Sequence, residues 1–311
     1  MIENNKVVIF LMGPTCCGKT SLAMDIHNSI NSQIISVDSS LVYKKMNIGT
    51  AKPTINELKK YPHKLVDIKY PNECYSVADF YSDALREIKQ AFLSNKVPLL
   101  VGGTMLYYKI LLEGLINLPK KNVNLSKRIT LCAKNNRILL HKKLSKIDPC
   151  SASKININDI YRLSRALEVY YTSGKKKSSF FKKKRFKYTV LQFVIVPIEK
   201  KFLYNRIFYR LQKMINLGFE KEVYELFKNN VLHVKSQAMN CIGYSQMWNF
   251  INEKITYDQM FNEIFFLTKK LVKKQMTWIR SWKNLNFLYF ENNKKSKDKI
   301  FKILKNFKKN S

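Results

Sequence analysis

The chain has 311 residues, 46% of them hydrophobic, enough to bury a substantial core in one large domain or in a domain carrying a smaller insertion. Its apolar runs at residues 7–12 and 97–101 are far too short to cross a bilayer, and residues 1–6 are too polar and too short for a secretory signal, so a membrane protein is excluded and a cytoplasmic one is expected. The formal net charge of +34, from 56 Lys and Arg against 22 Asp and Glu, suits a polyanionic partner such as nucleic acid, although Lys, Asn, Ile and Phe are abundant throughout, as in chains from A·T-biased genomes.

In chain order, residues 7–12 read as a strand, a glycine-containing loop follows, and residues 19–30 read as a helix. A second strand, residues 33–37, ends in Asp38-Ser39-Ser40. Helical periodicity resumes over residues 76–94, with Ser76 as N-cap and Asp79 three residues on, and the strand 98–101 leads into Gly102-Gly103-Thr104. This alternation predicts an α/β fold with a P-loop-type parallel sheet flanked by helices. From residue 118 the strand signals vanish and apolar positions follow helical spacing, closing on the basic runs Lys175-Lys176-Lys177 and 182–185. The expected division is an α/β core of residues 1–117 and 187–311 around a mainly helical inserted domain, 118–186. A last strand at 189–196 precedes a mostly helical region and a lysine-rich tail.

Six cysteines, at positions 16, 17, 74, 132, 150 and 241, show no zinc-ligand spacing and no disulfide framework. The strongest local signal is Gly13-Pro14-Thr15-Cys16-Cys17-Gly18-Lys19-Thr20, which fits G-x-x-x-x-G-K-[ST] between a predicted strand and a predicted helix. In such a loop backbone N–H groups turn onto phosphate oxygens, Lys19 adds a point charge, Thr20 can reach Mg²⁺ through its hydroxyl, and the helix N-terminus adds a favourable dipole. A ligand carrying a diphosphate or triphosphate is therefore expected. A nucleoside triphosphatase also needs an Asp at a strand end to hold Mg²⁺. The strand 98–101 instead runs into Gly102-Gly103-Thr104, and the strand-end acid in range is Asp38, followed by hydroxyl residues.

Further blocks accompany these: Ile35-Ser36-Val37-Asp38-Ser39, Ile48-Gly49-Thr50-Ala51-Lys52-Pro53, Pro62-His63, Tyr75-Ser76-Val77-Ala78-Asp79-Phe80, and Val101-Gly102-Gly103-Thr104 with Leu106-Tyr107. Later come Asn158-Asp159, the run from Arg162 through Leu163, Ser164 and Arg165 to Val169, Ile242-Gly243-Tyr244, and Lys274-Gln275 with Thr277-Trp278. In this order, over residues 7–282, the chain closely resembles the bacterial tRNA dimethylallyltransferases, also called tRNA isopentenyltransferases. The resemblance implies transfer of a dimethylallyl group from dimethylallyl diphosphate to N6 of adenosine 37, just 3′ of the tRNA anticodon, with release of diphosphate. In that reading the loop holds the leaving diphosphate and Mg²⁺ neutralises charge as the C–O bond breaks.

An exocyclic adenine amine is a poor nucleophile, so proton removal during attack helps, and Asp38 is the expected base. Lys19, Thr15 and Thr20 are the expected diphosphate grip, with Thr104 near the reacting groups. By the resemblance, Ser39, Ser40 and Leu41 shape the base pocket, and Ser126, Tyr161, Arg162, Leu163, Ser164, Arg165, Asn240, Cys241, Ile242, Gly243, Tyr244 and Ser245 belong to the tRNA-binding set. Arg162 and Arg165 share a helical face by spacing and suit phosphate contacts to an anticodon loop whose target base is turned out. Asn240 and Ser245 flank the Ile242-Gly243-Tyr244 block where the family carries basic residues, Ser126 aligns with a common Arg beside Lys127 and Arg128, and Tyr161 replaces a common Gln. Trp278, Trp282, Phe287 and Tyr289 either stack on bases or fill the core, and the tail at 294–309 is either a helix that touches RNA or a plain soluble end. The rivals are a nucleotide kinase and a basic RNA-binding protein with a vestigial loop. A monomer without membrane attachment is expected.

Overall fold

The computed structural model describes residues 3–116, 118–180, 186–290 and 293–309. The first half of the α/β unit runs β1 (Glu3–Met12), α1 (Lys19–Ser29), β2 (Ser32–Val37), α2 (Ile55–Lys60), β3 (His63–Lys64), α3 (Val77–Leu93), β4 (Val97–Gly102) and α4 (Met105–Glu113). A helical stretch follows with α5 (Val123–Asn135), α6 (Arg137–Ile147), α7 (Pro149–Ala152) and α8 (Ile160–Ser173). The chain then returns through β5 (Tyr188–Val196), α9 (Lys200–Asn216), α10 (Phe219–Lys228), α11 (Tyr244–Ile251), α12 (Tyr257–Arg280), β6 (Asn286–Tyr289) and α13 (Asn293–Lys309).

The strands form one six-stranded sheet in the order β3-β2-β4-β1-β5-β6, and every pairing is parallel. A parallel sheet covered on both faces needs strands that are apolar in a run, and Val8, Ile9, Phe10, Leu11 and Met12 are all fully buried. Helices supply the cover through matching stripes. On α3, Phe80, Ala84, Ile88 and Ala91 recur at helical spacing and are buried, and the helix is started by Ser76 and Asp79, which form a capping box. The register matters most for function: Gly102 pairs with both Met12 and Val37, so β1, β4 and β2 end in one row and Gly13, Gly103 and Asp38 open three adjacent loops. Ligands of open α/β sheets bind at this carboxyl edge.

The chain separates into two compact units, Met1–Leu112 with Lys187–Ser311, and Glu113–Phe186. The second unit thus begins a few residues before the expected 118, and the basic run at 182–185 lies outside the described residues. Its core is Leu144, Leu163, Ala166 and Leu167 from α6 and α8. Among the described residues no helix is long and apolar enough to cross a membrane.

The C-terminal region holds a strand without a sequence forecast, and a helix in the tail. In β6 the alternation of exposed Phe287, buried Leu288 and exposed Tyr289 marks an edge strand too short for periodicity to reveal. The lysine-rich tail is the helix α13, which buries Ile300, pairs Lys297 with Asp25 of α1 at 2.8 Å and donates from Lys299 Nζ to the Phe287 carbonyl. Of the late aromatics, Trp282 donates through Nε1 to Gln192 Oε1 at 2.6 Å, and Lys109 Nζ lies 5.5 Å from the Trp278 ring centroid.

Candidate active site

The loop after β1 is shaped by backbone needs. Gly18, with φ 82, sits in the left-handed region at the N-cap of α1 and offers no side-chain cap, so the first N–H groups of α1 have no capping side chain. Cys16 also lies at positive φ (63), an uncommon setting for a residue with a Cβ. Lys19 folds back onto its own loop, donating from Nζ to the Pro14 carbonyl at 2.6 Å and lying 3.8 Å from Cys17 Sγ. Burial pushes the Cys17 thiol pKa up, partly countered by the Lys19 ammonium, so Cys17 is a neutral packing group. Thr15 is half-buried and Thr20 exposed at the start of α1.

Asp38 follows β2, half-buried. Its Oδ1 accepts from the Ser40 and Leu41 backbone N–H groups at 2.7 and 3.3 Å, while no donor among the described residues reaches Oδ2. The first oxygen therefore fixes the carboxylate. Thr104 donates its backbone N–H to the Val37 carbonyl at 3.3 Å, tying the turn after β4 to the residue before Asp38. Its neighbour Gly103, rather than Thr104, lines the cavity.

Three residues absent from the expected site complete this edge. Gln275 of α12 is buried, accepts from the Thr15 N–H at 3.0 Å and donates to the Gly103 carbonyl at 3.1 Å, so it staples the first loop to the third. A Cβ on Gly103 would stand 2.4 Å from Gln275 Nε2 and 3.3 Å from the Gly13 carbonyl oxygen, so a side chain there would displace the staple. From α9, Arg206 donates through Nε to the Cys16 carbonyl at 2.8 Å, and Arg210 donates to Thr15 Oγ1 and the Thr50 carbonyl, both at 3.3 Å. Arginines four apart on the helix after a strand of the sheet were a legible signal for an anion-facing surface. Gln275 lay within a quoted block, but nothing in its residue type announced a two-sided staple. Replacing Gln275 by Ala is expected to leave the Thr15 N–H and Gly103 carbonyl unpaired and to cost about 1–3 kcal/mol in urea unfolding. An unchanged midpoint and slope would show that the staple contributes nothing.

Two adjoining cavities meet at Thr15, Cys16, Lys19, Asp38, Thr50 and Arg210. One, of about 530 Å³, runs along the loop at residues 13–20 and reaches Gly18, Thr20, Arg206 and Tyr209. The other, of about 250 Å³, has an apolar wall of Ile207, Leu211, Met214, Ile264 and Leu271 from α9 and α12, faced by Ser39, Ser40, Asn240, Cys241 and Ile242. Burial pushes the Cys241 thiol up to about 11, keeping it neutral. Lys19, Arg210 and Asp38 at the junction, with Arg206 and Thr20 on one side and the wall of Ile207, Leu211 and Ile264 on the other, can hold a ligand that is a phosphate at one end and hydrocarbon at the other.

Several expected RNA contacts are turned inward. Leu163 and Ser164 are buried in the helical unit, because the stripe of α8 that packs also includes Ala166 and Leu167. Arg165 donates to Glu168 Oε1 at 2.7 Å and to the Pro119 carbonyl at 2.6 Å; it holds the buried Glu168 and is not a free phosphate ligand. Three-residue spacing put Arg162 and Arg165 on one face, but only Arg162 is exposed, paired with Asp159 at 3.2 Å. Tyr161 is exposed too, and Ser126 is half-buried on α5. Gly243 and Tyr244 are buried as well: the Tyr244 hydroxyl donates to Glu222 Oε1 at 2.7 Å. Asn240 is exposed, and Ile242 and Ser245 are half-buried.

Comparison with known proteins agrees with the sheet and the blocks. Residues 41–282 match the family model IPP transferase. The tRNA dimethylallyltransferase of Buchnera aphidicola subsp. Acyrthosiphon pisum (strain APS) is 47% identical over 91% of this chain and 90% of its own length. That of Blochmanniella floridana is 46% identical over 92% and 90%. The solved structure of the full-length tRNA isopentenylpyrophosphate transferase of Bacillus halodurans superposes with a TM-score of 0.70 at 29% identity, covering 98% of both chains. The chain belongs to the IPP transferase family.

Proposed function

We propose that this chain transfers a dimethylallyl group from dimethylallyl diphosphate to N6 of adenosine 37 in tRNA, as a monomer in the cytoplasm. The reading rests on family membership, and the observation that carries it is the junction of the two cavities, where the Asp38 carboxylate stands between a cationic loop and an apolar wall. The diphosphate binds against Gly13, Pro14, Thr15, Cys16, Cys17, Gly18, Lys19 and Thr20, with Arg206 and Arg210 facing it from α9. The hydrocarbon lies on the wall of Ile207, Leu211 and Ile264. N6 of the adenine attacks the allylic carbon, the C–O bond to diphosphate breaks, and Asp38 Oδ2 takes one N6 proton, so the products are the N6-substituted adenosine and diphosphate.

Mg²⁺ fits the oxygen donors here. Among the described residues no group of three or more His, Cys, Asp or Glu could hold a metal, whereas the Thr20 hydroxyl and the Asp38 carboxylate line the same cavity. So sparse a set of hard oxygens suits a cation that keeps several waters and leans on substrate phosphates, with Thr20 as its protein ligand. When bound it supplies charge neutralisation to the leaving diphosphate.

The RNA contacts proposed are the members of the expected set that are not fully buried: Ser39, Ser40, Leu41, Asn240 and Ile242 lining the cavities, Thr104 and Ser245 beside these in sequence, and Tyr161, Arg162 and Ser126 in the helical unit. The test is incubation of the protein with unmodified tRNA, Mg²⁺ and radiolabelled dimethylallyl diphosphate, beside an arm with labelled ATP and small acceptors. Label is expected to enter RNA from the prenyl donor alone. Phosphoryl transfer from ATP, or tRNA binding without any prenyl transfer at any enzyme level, would replace this reading by the kinase or the binding-protein alternative.

A further inference from the structure

Glu222 is a carboxylate outside the described cavity with an unusual number of partners. It lies on α10, half-buried, and its two oxygens accept from three consecutive backbone N–H groups: Asn47 at 2.9 Å and Ile48 at 2.7 Å on Oε2, and Gly49 at 3.1 Å on Oε1. The Tyr244 hydroxyl donates to Oε1 as well, at 2.7 Å. Successive backbone N–H groups turned onto one anion form a nest, and a carboxylate seated in one fixes the loop that makes it. Gly49 lets the loop lie this close to its neighbours, because a Cβ there would meet the Phe219 ring at 2.2 Å and the Tyr244 ring at 2.7 Å.

The next residue carries the consequence. The Thr50 carbonyl accepts from Arg210 at 3.3 Å, and the same guanidinium donates to Thr15 Oγ1. Arg210 therefore has one foot on the phosphate loop and the other on a loop whose shape Glu222 sets. We infer that Glu222 is a positioning residue for diphosphate binding, acting through the 47–50 loop to hold the Arg210 guanidinium over the phosphate loop. The inference rests on the proposed diphosphate site and adds a residue to it that touches no substrate. A Gln at 222 keeps the shape but presents an amide nitrogen where a backbone N–H points, so at least one donor of the nest is left without an acceptor and the loop loosens.

The experiment is a double-mutant cycle of Glu222→Gln and Arg210→Ala on the full chain, read by calorimetric binding of inorganic pyrophosphate, with circular dichroism confirming the fold. Glu222→Gln alone is expected to weaken pyrophosphate by about tenfold, and in the Arg210→Ala background to change it by less than about twofold, since residues acting as one unit are not additive. In the transfer assay the same variant is expected to raise KM for dimethylallyl diphosphate while kcat stays within about threefold, a split that a general loss of folded protein does not produce. Tyr244→Phe, which removes one bond to Oε1 and leaves the nest, gives the same coupling at smaller size and serves if Glu222→Gln does not fold. Pyrophosphate affinity unchanged in Glu222→Gln, or weakened equally in both backgrounds, overturns the inference while leaving the diphosphate site intact. Failure of the unaltered chain to bind pyrophosphate would instead remove the site itself, and this inference with it.

Discussion

Asp38→Ala is expected to slow prenyl transfer by about 10²–10⁴-fold, the range of a positioned general base, while tRNA binding changes little. The asymmetry of the carboxylate is the reason. One oxygen is committed to the Ser40 and Leu41 N–H groups and the other receives no donor among the described residues, so the side chain is held without being consumed by its own turn. An Asn at 38 can keep the turn through its carbonyl oxygen but presents an amide where the base should be, and it should be nearly as slow as Ala. The two variants together separate a chemical role from a loop-shaping one: a structural Asp38 would be rescued by Asn. Single-turnover label transfer beside filter binding of tRNA makes the comparison, and near-normal turnover of either variant would remove Asp38 from the chemistry.

Lys19→Met is expected to weaken pyrophosphate by about 10- to 100-fold, the value of one charge-assisted hydrogen bond of roughly 1.5–3 kcal/mol. The ammonium is held at the loop by its bond to the Pro14 carbonyl, an acceptor that a phosphate oxygen would replace on the proposed reading. Lys19→Arg should not restore binding, since the planar guanidinium is too large for a loop whose floor is the buried Cys17 side chain. Calorimetry with pyrophosphate decides it, and an unchanged affinity would move the grip to Arg206 and Arg210.

The parts of this fold that could be read from sequence are those where local pattern and tertiary demand agree. The run Val8 to Met12 is apolar because both faces of β1 are covered, and Ser76 with Asp79 caps α3 whatever surrounds it. The place of Asp38 and of the loop at residues 13–20 was legible for the same reason: each follows a strand of the sheet, and the strands end in one row. What escaped depends on contacts distant in sequence. Gln275 reaches Thr15 across 260 residues, and Arg210 reaches it across 195. Helical spacing placed Arg165 beside Arg162, but the buried Glu168 and the Pro119 carbonyl claim its guanidinium, a preference no spacing rule contains. Tyr244 sits in a quoted block for a structural reason, the bond to Glu222, where an RNA contact was expected.

The most direct test of the central claim is the identity of the product nucleoside. Unmodified tRNA incubated with the enzyme, Mg²⁺ and dimethylallyl diphosphate is digested, and position 37 is analysed by mass spectrometry while diphosphate release is counted. N6-(dimethylallyl)adenosine is expected at that position, with one diphosphate released for each base modified. Label at another position, or release of orthophosphate from a nucleotide without a modified base, would contradict it.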